Sequence, residues 1–104
     1  GLRMLLGSIA GYEVVGEAGN GCEAVRVASE IRPDVVLMDV AMPEMNGIEA
    51  TRLIMASLVG VKVIALSVHN SPQYKELMRQ AGAVAYISKD HLADELGQTI
   101  RTVM

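Results

Sequence analysis

Tryptophan and phenylalanine are absent from this chain and tyrosine occurs three times in 104 residues, so any core must be built from Val, Ile, Leu, Ala and Met. Aliphatic cores of that kind suit parallel strands buried on both faces. The single cysteine, Cys22, excludes an internal disulfide, and no paired cysteines offer a metal-binding spacing, so a reducing cytoplasm is the natural compartment. Positive charge is also short. Nine Lys and Arg against twelve Asp and Glu leave a net charge of -3, which gives no field for holding phosphate backbones and argues against direct DNA binding by this chain. No stretch approaches the ~20 apolar residues of a membrane span, and the start Gly1 to Gly7 is too short for a secretory leader.

What is present is a 51% hydrophobic chain of a length that fills one core, hence one domain over residues 1-104. Its seven methionines read as core filling. Strand-like and helix-like segments alternate. Glu13 to Ala18 is β-rich, and Gly19-Asn20-Gly21 turns it into an amphipathic run, Cys22 to Ile31, that Pro33 ends. Asp34 to Asp39 is the next strand and Ile48 to Ser57 the next helix. Val61 to Leu66 follows as a strand, then a helix from Pro72 to Ala81 with Gly82 as its stop. Ala83 to Ile87 is the last strand, and Leu92 to Met104 a final helix with Leu92, Leu96, Ile100 and Val103 on one face. Such βα alternation predicts an α/β fold, a doubly wound parallel sheet with helices on both faces. The glycines around Gly19 and Gly21 lack the dinucleotide-binding spacing and read as a turn.

Three strand ends carry chemistry. Asp39 closes the apolar run Val35-Val36-Leu37-Met38 and is followed at once by a turn sequence, while Ser67 and Lys89 close the two later strands. Ligand crevices of open α/β sheets lie beyond the carboxyl ends of the strands, and adjacent strands are ~5 Å apart, so the three side chains can converge on one small anion. An aspartate there can attack phosphorus, a lysine can bind a phosphoryl oxygen as a point charge, and a hydroxyl can donate to another. Taken singly, Lys89 reads as solvated and Ser67 as a cap or turn residue; their order and placement give the pattern its force. Cys22 reads as a tolerated thiol near a helix start, and His91 as a surface residue.

Blocks of the chain resemble the receiver domain of bacterial two-component response regulators: Tyr12 to Ala18, Arg32 to Asp39, Met42-Pro43-Glu44-Met45-Asn46-Gly47, and Gly82-Ala83 to Lys89. The wording is closest to LuxR-type receivers, which precede a helix-turn-helix output domain, and the likeness covers essentially the whole chain. It implies a flavodoxin-like fold and a phosphoprotein that regulates transcription, with Asp39 accepting a phosphoryl group from a sensor histidine kinase. Ser67 would move toward that group, Lys89 would be its charge partner and Tyr86 the rotameric switch. Asp39 and the backbone carbonyl of Ala41 would ligate magnesium. His69, two positions after Ser67, is a candidate modulator of water access, or else an exposed loop imidazole. Tyr86 reads equally as a half-buried strand aromatic. Partners implied are the kinase, a second copy as homodimer or strand-exchanged oligomer, and DNA only through a separate output domain.

One departure stands against that resemblance. The family opens with an apolar strand and adjacent acidic residues, whereas this chain begins inside what resembles the first helix. The expectation is a receiver truncated at its N-terminus, with no output domain after Met104. Its first strand would be missing, its second strand would have no neighbour, and an open edge would lie along Asp34 to Asp39. The gap would be closed by the second strand, by a partner chain, or by residues beyond those given. Without the acidic pair, magnesium binding is doubtful and phosphorylation should be slow or undetectable. A non-phosphorylated pseudo-receiver that binds protein partners is the alternative. A phosphatase of the haloacid dehalogenase type is disfavoured, because Ala41 stands where its second aspartate, the general acid, belongs.

Overall fold

The structure, a computed structural model, describes residues 2–4, 16–18, 20–39, 47–67 and 72–103. Five strands form one sheet: β1 (Leu2–Met4), β2 (Gly16–Ala18), β3 (Val35–Asp39), β4 (Lys62–Ser67) and β5 (Ala85–Ser88), in the order β2-β1-β3-β4-β5. Four helices connect or follow them: α1 (Gly21–Ile31), α2 (Gly47–Ser57), α3 (Pro72–Ala81) and α4 (Leu92–Val103). A short 3-10 turn, Lys89–His91, joins β5 to α4.

The central strands run as their sequence predicts. β3 and β4 pair in parallel from Val35↔Lys62 to Asp39↔Leu66, and β4 and β5 from Ile64↔Ala85 to Ser67↔Ser88. All five residues of β3 are buried, because both faces of the strand are covered. Val36 and Met38, with Val63 and Ala65, face one cluster that includes Ala24, Ala28, Ala50, Ile54 and Met78 of α1, α2 and α3. Val35, Leu37, Ile64, Leu66 and Ile87 face the other, closed by Leu96 and Ile100 of α4. This double cover explains the uninterrupted apolar run before Asp39, since no position in it faces water. Three of the methionines fill the core as expected: Met38 and Met78 are fully buried and Met55 packs against the first cluster.

The N-terminal half departs from the sequence expectation. Leu2–Met4 is a strand, not part of a helix, and it lies between β2 and β3. The slot expected to be empty is therefore filled by the chain itself. Neither closure of β2 onto β3 nor a strand from a partner is needed. β1 runs antiparallel to both neighbours, through Leu2↔Ala18, Arg3↔Glu17 and Met4↔Gly16 on one side and Arg3↔Leu37 on the other, so the sheet is mixed. The physical reason is the cost of two unpaired strand edges, which any short extended segment within reach relieves by supplying backbone donors and acceptors, whatever its direction. Of the expected strand Glu13 to Ala18, Glu13 to Val15 lie outside the described residues.

Local chemistry sets the helix ends. Asn20 caps α1, its side-chain oxygen accepting from the Glu23 N–H at 2.8 Å, a role beyond the turn residue expected. That helix ends at Ile31 with Arg32 in the left-handed region (φ 52°), its N–H bonded to the Ala28 carbonyl, immediately before Pro33. At the end of α3, Gly82 (φ +117°) donates to the carbonyls of Met78 and Arg79, and Ala83 donates to Met78, which is a Schellman stop. A Cβ at Gly82 would lie 2.6 Å from Met55 Cγ, so space as well as backbone angle demands glycine there.

Candidate functional site

The carboxyl edge of the parallel strands gathers the residues singled out from sequence. Asp39 is the last residue of β3 and is 9% exposed; Ser67 is the last of β4 and is 6% exposed. Both are polar groups at the rim of an apolar sheet, and both make interactions within the protein. Lys89 does not end β5 as expected. Ser88 does, and Lys89 opens the 3-10 turn one residue beyond it. The register orders them across the edge. Asp39 lies level with Leu66, Ser67 one step further and level with Ser88, and the Lys89 backbone one step further again. Neighbouring strands are ~4.8 Å apart, so Ser67 stands between the carboxylate and the strand that leads into Lys89.

Strand alternation gives the edge two sides. Asp39 follows Val35 and Leu37, on the side closed by α4, whereas Ser67 follows Val63 and Ala65, on the side closed by α1, α2 and α3. Tyr86 is half-buried and packs against that second side, level with Ala65. Ser67, Ser88 and Tyr86 thus share a face. Tyr86 is half-buried, as the reading of it as a strand aromatic expects.

Ser88 was not anticipated. Its hydroxyl accepts from the Asp90 N–H at 3.4 Å, which caps the turn that begins with Lys89. The available signal was a hydroxyl residue between an apolar strand and a lysine. Ala41 and His69 lie outside the described residues. Cys22 is exposed near the start of α1, and His91 is exposed at the end of the 3-10 turn, as expected.

Magnesium is a hard cation that takes six oxygen ligands in octahedral geometry. Among the described residues no three His, Cys, Asp or Glu side chains come together, and Asp39 stands without a second carboxylate from β4 or β5. Of the two ligands the resemblance implies, Asp39 ends β3 and Ala41 lies outside the described residues. None of the described helices is long and apolar enough to cross a membrane.

Comparison with known proteins agrees with this architecture. The profile of the response regulator receiver domain matches residues 1–101. Response regulator GacA of Pseudomonas viridiflava is 42% identical over 103 residues, which is 99% of this chain and 48% of that protein. Response regulator UvrY of Escherichia coli K12 is 44% identical over 103 residues, 99% of this chain and 47% of that protein. Among solved structures, a LuxR-family two-component response regulator from Aurantimonas sp. SI85-9A1 superposes with a TM-score of 0.85 at 34% identity, over 92% of this chain and 69% of that one. The chain spans about half the length of the curated relatives it matches.

Proposed function

Because the chain belongs to the response regulator receiver domain family, we propose that Asp39 is the acceptor through which it takes a phosphoryl group from a sensor histidine kinase. The observation that carries this reading is a nearly buried carboxylate at the carboxyl end of the central strand, with a buried hydroxyl at the end of the next strand one step further on. A carboxylate oxygen of Asp39 attacks phosphorus, an acyl phosphate bond forms, and the bond from phosphorus to the donor imidazole nitrogen breaks, leaving the electron pair and then a proton on that ring. Ser67 donates a hydrogen bond to a phosphoryl oxygen and Lys89 neutralises part of the added charge. Movement of Ser67 toward the phosphoryl group opens space on the face it shares with Tyr86, and rotation of that ring into the space carries the signal outward. The chain itself acts as a switch and not as an enzyme. It works in the cytoplasm and reaches DNA only through an output domain of the whole regulator, whose activity GacA and UvrY suggest is transcriptional control.

Intact mass spectrometry after incubation with acetyl phosphate and magnesium tests the assignment. One added phosphoryl group is expected, and it is lost entirely in Asp39→Asn. Labelling that persists in Asp39→Asn would place the acceptor elsewhere. A chain that stays unmodified through prolonged incubation would refute the acceptor assignment and favour a protein-binding module.

A further inference from the structure

Lysine is a poor residue for the position where Lys89 stands. It is the first residue of the helical segment that runs through the 3-10 turn into α4, where exposed backbone N–H groups and the helix dipole disfavour a cation and favour acids such as Asp90 and Asp94. A local rule broken in this way marks a residue kept for another reason. Ser88 is at once the last residue of β5, level with Ser67, and the cap of the turn, its hydroxyl accepting from Asp90 N–H. A capping hydroxyl fixes the backbone angles on either side of the first helical residue, and so fixes the direction in which the chain turns away from the sheet at that residue.

We propose that Ser88 is a positioning residue, whose hydroxyl sets the point at which Lys89 leaves the sheet edge so that its ammonium serves Asp39. This role rests on Lys89 being the charge partner of Asp39. It also ties two halves of the switch together, since the residue that orders Lys89 lies directly across from Ser67 and on its face. Without the cap, the turn still forms but samples several directions, and the ammonium spends less time near the carboxylate.

Side-chain NMR of Lys89 in labelled protein at fixed pH tests this without requiring phosphorylation. In the wild type, Asp39→Asn should displace the Lys89 Cε and Nζ signals. In a Ser88→Ala background the same substitution should displace them by less than half as much, and Ser88→Thr, which keeps the hydroxyl, should restore the full displacement. Exchange of the Asp90 amide should rise about fivefold in Ser88→Ala, equivalent to losing one hydrogen bond of about 1 kcal/mol. Full displacement in the Ser88→Ala background would overturn the role of Ser88 while leaving Lys89 as charge partner. No displacement in the wild type would overturn that partnership, and the role of Ser88 with it.

Discussion

At the scale of single residues, Asp39 and Gly82 show opposite demands. Asp39 is a polar group at 9% exposure that makes interactions within the protein, and asparagine has the same shape. Asp39→Asn should therefore keep or raise the melting temperature while abolishing phosphoryl labelling; a fall of more than about 1 kcal/mol in urea unfolding would show that the carboxylate is a structural group. Gly82 answers to backbone angle and to packing together. Alanine there meets both a left-handed backbone and Met55 Cγ at 2.6 Å, so Gly82→Ala should lose about 2–4 kcal/mol by the same measurement. Adding Met55→Ala should recover the steric part only, which would separate crowding from backbone strain. Glu76 gives a smaller, pH-dependent effect. Hydrogen bonds from Arg79 and Gln80, and the charge of Arg79, hold its carboxyl below the ordinary 4.5, so its contribution is present above that pH and is lost as pH falls through the lowered value. Amide protection in α3 should decline on acidification in the wild type and lose that dependence in Glu76→Gln.

At the scale of elements, the parts legible in the sequence are those with one strong physical cause. β3, β4 and the four helices lie within a residue or two of their expected bounds, because a doubly covered strand must be apolar throughout and an amphipathic helix must repeat at helical spacing. Asp39 and Ser67 were legible for the same reason, as the first polar residues after such runs. Lys89 was displaced by one position because the strand period continues through Ser88, and a 3-10 turn has no period of its own to announce it. β1 could not be read at all: three residues carry no periodicity, and pairing in either direction depends on which edges the rest of the sheet leaves open. Its ladder is correspondingly thin, one register pair with β3 against five between β3 and β4. In hydrogen exchange, amides of Leu2–Met4 should be protected well below the level of β3 and β4, which open only with the whole fold. Equal protection would mean that the mixed part of the sheet is held as firmly as the parallel part.

At the scale of the whole molecule, the candidate site lies along one rim of the sheet. Among the described residues the aliphatic interior is split by the sheet into two clusters, and Asp39 and Ser67 sit where the strands run out. The direction of β1 adds a consequence for where the chain enters the sheet. Since β1 is antiparallel to β3, its first residue, Leu2, lies toward the Asp39 end of the sheet, whereas α4 starts at that rim and finishes at the far one. A segment entering β1 at Leu2 therefore does so at the Asp39 rim, and a segment leaving α4 does so at the opposite rim.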